Sequence, residues 1–182
     1  MEPNKKNEPL KPHEVEHLAD LIGAYQSATM EELQEKIKQG DASALYVFGW
    51  RLRQSSNPQE QYFGFQRVLE AAELGHVFAQ KAVVADLLFQ AKEIGHPVAA
   101  AHTGYVYNFA FQLLPPRETP EATHLYELAK NYLKNAANAG LKDAREEYEI
   151  LLVCESVERL NGNKNPKKKN FSTAGYPSES FH

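Results

Sequence analysis

The sequence predicts an all-α protein built from stacked helical hairpins, and three observations lead to that prediction. Apolar residues recur at helical rather than alternating spacing, as in the run of Val15, Leu18 and Ile22. Capping side chains mark where helices begin, and glycines mark where they end. Glycine is followed four residues later by alanine at four places, which indicates an internal repeat. We therefore expect about eight helices joined by short connections.

Local signals place several helix boundaries. Thr29 with Glu32 three residues later forms a capping box, and Asn57 followed by Pro58 combines a capping side chain with proline at the first helical position. The glycines that fit a left-handed helix end are Gly40, Gly75, Gly95 and Gly140. His76 and His96 each follow such a glycine, where an imidazolium would interact favourably with the carboxyl end of the preceding helix.

Four segments are expected along the chain. Residues 1–12 carry three prolines and no periodicity, so we expect a disordered arm. Residues 13–39 are expected to form capping helices, and residues 40–160 to form the helical repeat domain. Residues 161–182 are rich in Asn, Lys and Ser, which is typical of a disordered tail.

Composition argues against several classes of protein. The 182 residues carry a net charge of −4, whereas proteins that grip nucleic acid usually show a basic excess. No apolar run is long enough to cross a bilayer, and no apolar stretch follows the lysines near the N-terminus as in a secretory signal. Cys154 is the single cysteine, so no disulfide forms within the chain. We expect a cytoplasmic protein that binds neither nucleic acid nor membrane.

Two segments, 40–75 and 95–140, are the best copies of the repeat. Their first helices align as Ala44, Gly49 and Trp50 against Ala99, Gly104 and Tyr105. Their second helices both end in an alanine pair followed by glycine, at Gly75 and Gly140. Small residues at a helix crossing let two backbones approach closely, and an aromatic residue one turn on is expected to fill the groove between them.

The pattern G-x-x-x-A-x-x-x-x-G-aromatic, followed by A-A-x-x-G, resembles the SEL-one-like repeat, a relative of the tetratricopeptide repeat. The resemblance covers roughly residues 40–148. It implies a right-handed α/α-hairpin solenoid that acts as an adaptor or scaffold, without shared catalytic residues and without a cofactor. The first copy departs from the family pattern. Where the second helix usually carries an aromatic residue, the first copy has Arg67, whereas the second copy has Tyr132.

Stacked hairpins form a curved wall that is usually lined by the first helix of each pair. In this chain those helices are expected at residues 41–54, 77–93 and 97–114. A partner protein docked there would contact polar and aromatic side chains, and aromatic residues are good interface anchors. The candidate partner-binding residues are Arg51, Arg53, Lys81, His102, Tyr105, Tyr107 and Asn108. An immunity or inhibitor protein that neutralises a toxin is an alternative that the sequence does not distinguish from an adaptor.

A second alternative is a zinc hydrolase. His13-Glu14-Val15-Glu16-His17 matches H-E-x-x-H, in which two histidines on one helix face bind zinc and the glutamate acts as general base. His13 follows Pro12 at the very start of its helix, however, and no second histidine cluster follows at short range. We therefore expect no metal, with His13 and His17 as the candidate ligands if one binds.

Overall fold

The computed structural model describes residues 10–107 and 119–163, which fold into eight α-helices and contain no strand. The all-α prediction is confirmed for these residues. The helices are α1 (Pro12–Tyr25), α2 (Met30–Lys38), α3 (Ala42–Arg53), α4 (Pro58–Glu73), α5 (Val77–Glu93), α6 (Pro97–Tyr107), α7 (Pro120–Asn138) and α8 (Lys142–Asn163). None of the helices described here combines the length and apolarity that crossing a membrane requires. Helix α1 begins within the expected arm and α8 extends into the expected tail, while residues 1–9 and 164–182 of those segments lie outside the described residues.

The predicted helix starts are confirmed at α2 and α4. The Thr29 hydroxyl accepts a hydrogen bond from the Glu32 amide while the Glu32 carboxylate accepts one from the Thr29 amide. The Asn57 side chain accepts from the Gln59 amide, and Pro58 opens α4. These bonds satisfy amides that a helix leaves without partners at its amino end.

Each Gly-x-x-x-Ala motif marks a junction between two helices. The four glycines have φ between +84° and +96°, a conformation that glycine adopts without steric cost, and each ends a helix. The alanine four residues later lies in the first turn of the next helix and is fully buried in all four cases. The motif therefore stops one helix, turns the chain, and starts the next helix with a side chain small enough to permit close packing.

The expected role of the two junction histidines is wrong. Nδ1 of His76 accepts a hydrogen bond from the Ala79 amide, and Nδ1 of His96 accepts one from the Ala99 amide. Both rings therefore cap the amino end of the following helix as hydrogen-bond acceptors. An acceptor nitrogen must be unprotonated, so these histidines do not act as cations at the carboxyl end of the preceding helix.

Helices α3 and α4 cross at two glycines. A Cβ atom added at Gly64 would lie 2.6 Å from the Gly49 carbonyl oxygen, and one added at Gly49 would lie 2.8 Å from the Gly64 carbonyl oxygen. The two backbones are thus in direct contact, as expected from small residues at the crossing. Trp50 does not fill this groove, because its side chain is 45% exposed.

Helix α5 is the centre of the main core. Buried residues on it include Val83, Val84, Leu87, Leu88 and Ala91, which span an arc of about 140° around the helix at about 100° per residue. An arc wider than the apolar stripe of about 100° typical of a surface helix suits more than one neighbour. Helices α4, α6 and α7 all pack against α5. A second, smaller cluster around Leu33 and Phe48 joins α3 to α1 and α2.

The second copy of the repeat is not arranged as expected. The sequence alignment pairs α6 with α7, but among the described residues α7 packs mainly along α5, and also against α8. Helix α6 packs against α5 and α8 instead. The start of α6 still reaches α7, because the His96 ring stacks on Tyr126 with ring centroids 4.1 Å apart. The broad apolar surface of α5 explains the difference, since it provides the longer buried contact for α7.

Candidate protein-binding surface

A cleft of about 110 Å³ opens between α1 and α3. Its walls combine aliphatic, aromatic and polar side chains. The lining residues are Ile22, Gln26, Tyr46, Val47, Trp50 and Arg51. Sites for small molecules usually occupy about 300–1,000 Å³. The Trp50 cleft, as we name this feature, is therefore of the size that accepts one side chain of a bound protein.

Arg51 fixes one wall of the cleft. Its guanidinium donates hydrogen bonds to the carbonyl oxygens of Tyr25, Gln26 and Ala28, at 2.9, 2.6 and 2.6 Å. These carbonyls lie at the end of α1 and in the loop that follows, where a helix leaves acceptors without internal partners. Arg51 therefore ties the carboxyl end of α1 to α3.

A second bond ties α1 to the beginning of α3. The Tyr25 hydroxyl donates to Oδ2 of Asp41 at 2.6 Å, while Oδ1 of Asp41 accepts from the amides of Ser43 and Ala44. The hydrogen bond to the Asp41 carboxylate raises the pKa of Tyr25 to about 12. Since α1 contains no fully buried residue, these polar contacts add to the partly buried packing of Ile22 and Tyr25 in holding it as a wall of the cleft.

Trp50 forms the exposed rim of the cleft. Its ring lies 6.3 Å from the Tyr46 ring, and the Arg53 guanidinium carbon lies 5.9 Å from its centroid. Arg53 is itself anchored by Asp86 of α5 at 2.9 Å. The indole is therefore supported on two sides while nearly half of its surface faces solvent.

The support of Trp50 continues into the core through Tyr46 and His76. The two rings stack with centroids 5.0 Å apart and an interplanar angle of 26°. Because Nδ1 of His76 is an acceptor, Nε2 carries the proton and donates to the Ser43 hydroxyl at 3.2 Å. Burial lowers the pKa of His76 to about 4, so the ring is neutral at physiological pH. Burial likewise raises the pKa of Tyr46.

Two of the residues predicted to bind a partner, Lys81 and His102, come together with a third that the sequence analysis missed. Lys81 Nζ pairs with Glu147 Oε2 at 2.5 Å, and His102 Nε2 lies 4.0 Å from Glu147 Oε1. His102 is fully buried, and within the described residues neither of its ring nitrogens has a hydrogen-bond partner. Burial lowers the pKa of His102, while the nearby Glu147 carboxylate opposes that effect. This cluster joins α5, α6 and α8, and its fully buried member His102 is not at the surface, whereas the Lys81 side chain is 24% exposed.

The other predicted residues differ in position. Arg51 lines the Trp50 cleft, and Arg53 lies beside it with its guanidinium carbon 5.9 Å from the centroid of the Trp50 ring. Tyr105 is 73% exposed on α6 and therefore stays a candidate for partner contact. Asn108 lies outside the described residues, as does the side chain of Tyr107.

The two histidines of the H-E-x-x-H motif are exposed on the first two turns of α1. Among residues 10–107 and 119–163, no three His, Cys, Asp or Glu side chains lie close enough together to hold a metal ion. The described part of the chain thus offers His13 and His17 no third ligand, which a catalytic zinc site needs.

Comparisons with models of protein families, with curated proteins and with solved structures find no match to this chain.

Proposed function

We propose that this chain is a protein-protein interaction module, an adaptor or scaffold that takes an apolar side chain of its partner into the Trp50 cleft. In this proposal the helices form a right-handed α/α solenoid of the SEL-one-like type. The observation that carries the proposal is the half-exposed Trp50 at the rim of a cleft whose walls are already fixed by hydrogen bonds.

The chemistry of the cleft supports a protein partner. Tryptophan, tyrosine and arginine are the residues most often responsible for binding energy at protein interfaces. Ile22, Val47 and the Tyr46 ring supply an apolar interior. The polar groups of Arg51 are already bonded to backbone carbonyls, so they hold the walls in position and leave recognition to shape and apolar contact. A site fixed before binding loses less conformational entropy when the partner docks.

The test uses the fact that Trp50 is the only tryptophan in the chain. Peptides are first selected from a displayed random library for binding to the immobilised full-length chain. The selected peptides are then titrated against the chain while the indole fluorescence is recorded. We expect the selected peptides to share an apolar anchor residue. Their binding should shift the emission to shorter wavelength, because the anchor removes water from the ring.

Calorimetry on matched variants then locates the site. Trp50→Ala should weaken peptide binding by about thirtyfold, the effect of losing an interface residue worth about 2 kcal/mol. Tyr62→Ala removes a still more exposed aromatic residue from α4, outside the cleft, and should change binding less than twofold. Peptides that bind Trp50→Ala as tightly as the unmodified chain would contradict the proposal.

A further inference from the structure

Among the residues that the structure describes, the second half of α8 has one exposed apolar face. Leu151, Cys154 and Glu155 of this helix are buried. On its other side, Val153, Val157 and Leu160 are exposed, and Ile150 is half-buried. The α8 stripe, as we call Ile150, Val153, Val157 and Leu160, has successive spacings of three, four and three residues. That spacing is the apolar seam along which two α-helices pack side by side.

The α8 stripe is complementary to itself in the antiparallel direction. If two α8 helices pack antiparallel around a two-fold axis, Ile150 lies opposite Leu160 of the second copy. Val153 then lies opposite Val157 of the second copy, so every stripe residue meets another apolar residue. A surface whose residues pair reciprocally in this way is suited to an isologous dimer.

The residues that flank the stripe also suit this arrangement. Ser156 is exposed beside the stripe and falls next to the two-fold axis, where it brings no charge to face its own copy. The exposed Glu149 lies across from the end of the second helix and away from the Glu149 of the second copy. Arg159, beyond the stripe, leans towards Glu155 of its own helix at 3.5 Å. The antiparallel pairing therefore places no like charges opposite each other.

We propose that two copies of this chain associate through the α8 stripe as an antiparallel, two-fold symmetric dimer. The stripe extends about 15 Å along the helix at 1.5 Å per residue. Stable interfaces bury about 800 Å² on each partner, and four side chains of this size cover much less. The dimer is therefore weak and forms at micromolar or higher concentration.

Sedimentation velocity of the full-length chain over a wide concentration range tests the proposal. A reversible monomer–dimer equilibrium is expected, and Val157→Lys or Val153→Lys should raise its dissociation constant at least tenfold. Both side chains are exposed in the monomer, so circular dichroism should show an unchanged helical fold. Leu74→Lys is the matched control, because Leu74, at the C-cap of α4, is 60% exposed and Val153 is 61% exposed. This control should dimerise like the unmodified chain.

Cysteine crosslinking tests the direction of packing. In a Cys154→Ala background, Ser156→Cys should give a disulfide-linked dimer under a copper-phenanthroline oxidant with oxygen, because the two-fold axis brings both thiols together. Glu149→Cys should give none. A monomer at every concentration would overturn the proposal and leave residues 164–182 or a different protein as the occupant of this face. A dimer unaffected by both lysine substitutions would overturn it as well.

Discussion

The contact between α3 and α4 leads to a quantitative prediction for Gly64→Ala. The added methyl group would lie 2.6 Å from the Gly49 carbonyl oxygen and 2.7 Å from the Arg53 amide nitrogen. Ordinary van der Waals contact begins at 3.4 Å, so the methyl is too close by about 0.8 Å. Both obstructing atoms belong to the backbone, so no side-chain rotation relieves the overlap. The two helices must move apart.

The expected loss of stability follows from two opposing effects. Overpacking a well-packed contact costs about 1–3 kcal/mol, and the separated helices lose dispersion energy along their whole contact. Alanine favours the helix over glycine by about 1 kcal/mol, which offsets part of the cost. We expect a net decrease in the free energy of unfolding of up to about 2 kcal/mol, taking these ranges together. Urea denaturation followed by far-UV circular dichroism measures it.

Gly23→Ala is the matched control. Gly23 also lies within a helix, α1, but a Cβ atom added there meets nothing within 4 Å. Only the gain in helix propensity applies, so this variant should be more stable by up to about 1 kcal/mol. If Gly64→Ala proved as stable as Gly23→Ala, the direct backbone contact between α3 and α4 would be refuted.

Two further predictions concern the walls and the support of the Trp50 cleft. Arg51→Ala should lower the free energy of unfolding by about 1–3 kcal/mol, because three carbonyls lose a charged donor; Arg159→Ala, which removes a largely exposed side chain, should change it by less than about 0.5 kcal/mol in the same urea titrations. The pH prediction rests on His76, because burial lowers its pKa in the folded protein to about 4 from the ordinary histidine value of 6.5. Between these values the unfolded chain binds the additional proton, so stability is retained above pH 6.5 and decreases by up to about 3 kcal/mol as the pH falls towards 4. His76→Asn keeps a capping side chain without a titrating ring, so its urea midpoint should depend less steeply on pH in that window; an unchanged slope would show that His76 is not responsible.

Local features of the fold could be predicted from the sequence because they depend on neighbouring residues. The capping box at Thr29 and the helix start at Asn57 each involve a side chain and an amide two or three residues away. The left-handed glycines follow from the same short-range logic, since few other residues adopt a positive φ. His76 shows the limit of this short-range reasoning. A histidine at this position can cap the next helix or place a charge at the end of the previous one, and the sequence does not distinguish the two.

Contacts between distant segments could not be predicted in the same way. Arg53 and Asp86 are 33 residues apart, and Lys81 and Glu147 are 66 apart. Each pair exists only because the helices carrying it became neighbours. Helix α7 packs along α5 rather than α6 because of the total apolar surface that α5 buries. No single sequence motif indicates how much surface a helix will bury. The roles of Arg53 and Lys81 as paired charges were therefore missed, although both residues were selected.

Position on the helix explains why the glycine-aromatic pair of the repeat has two separate roles. Consecutive residues on an α-helix point about 100° apart. When Gly49 faces α4 at the crossing, Trp50 must therefore point towards another side of α3, where α1 supplies the second wall of the cleft. In the other copy, Tyr105 follows Gly104 and is also exposed. Gly49 thus contributes to packing while Trp50 beside it remains available at the surface, as the proposed binding of a partner side chain requires.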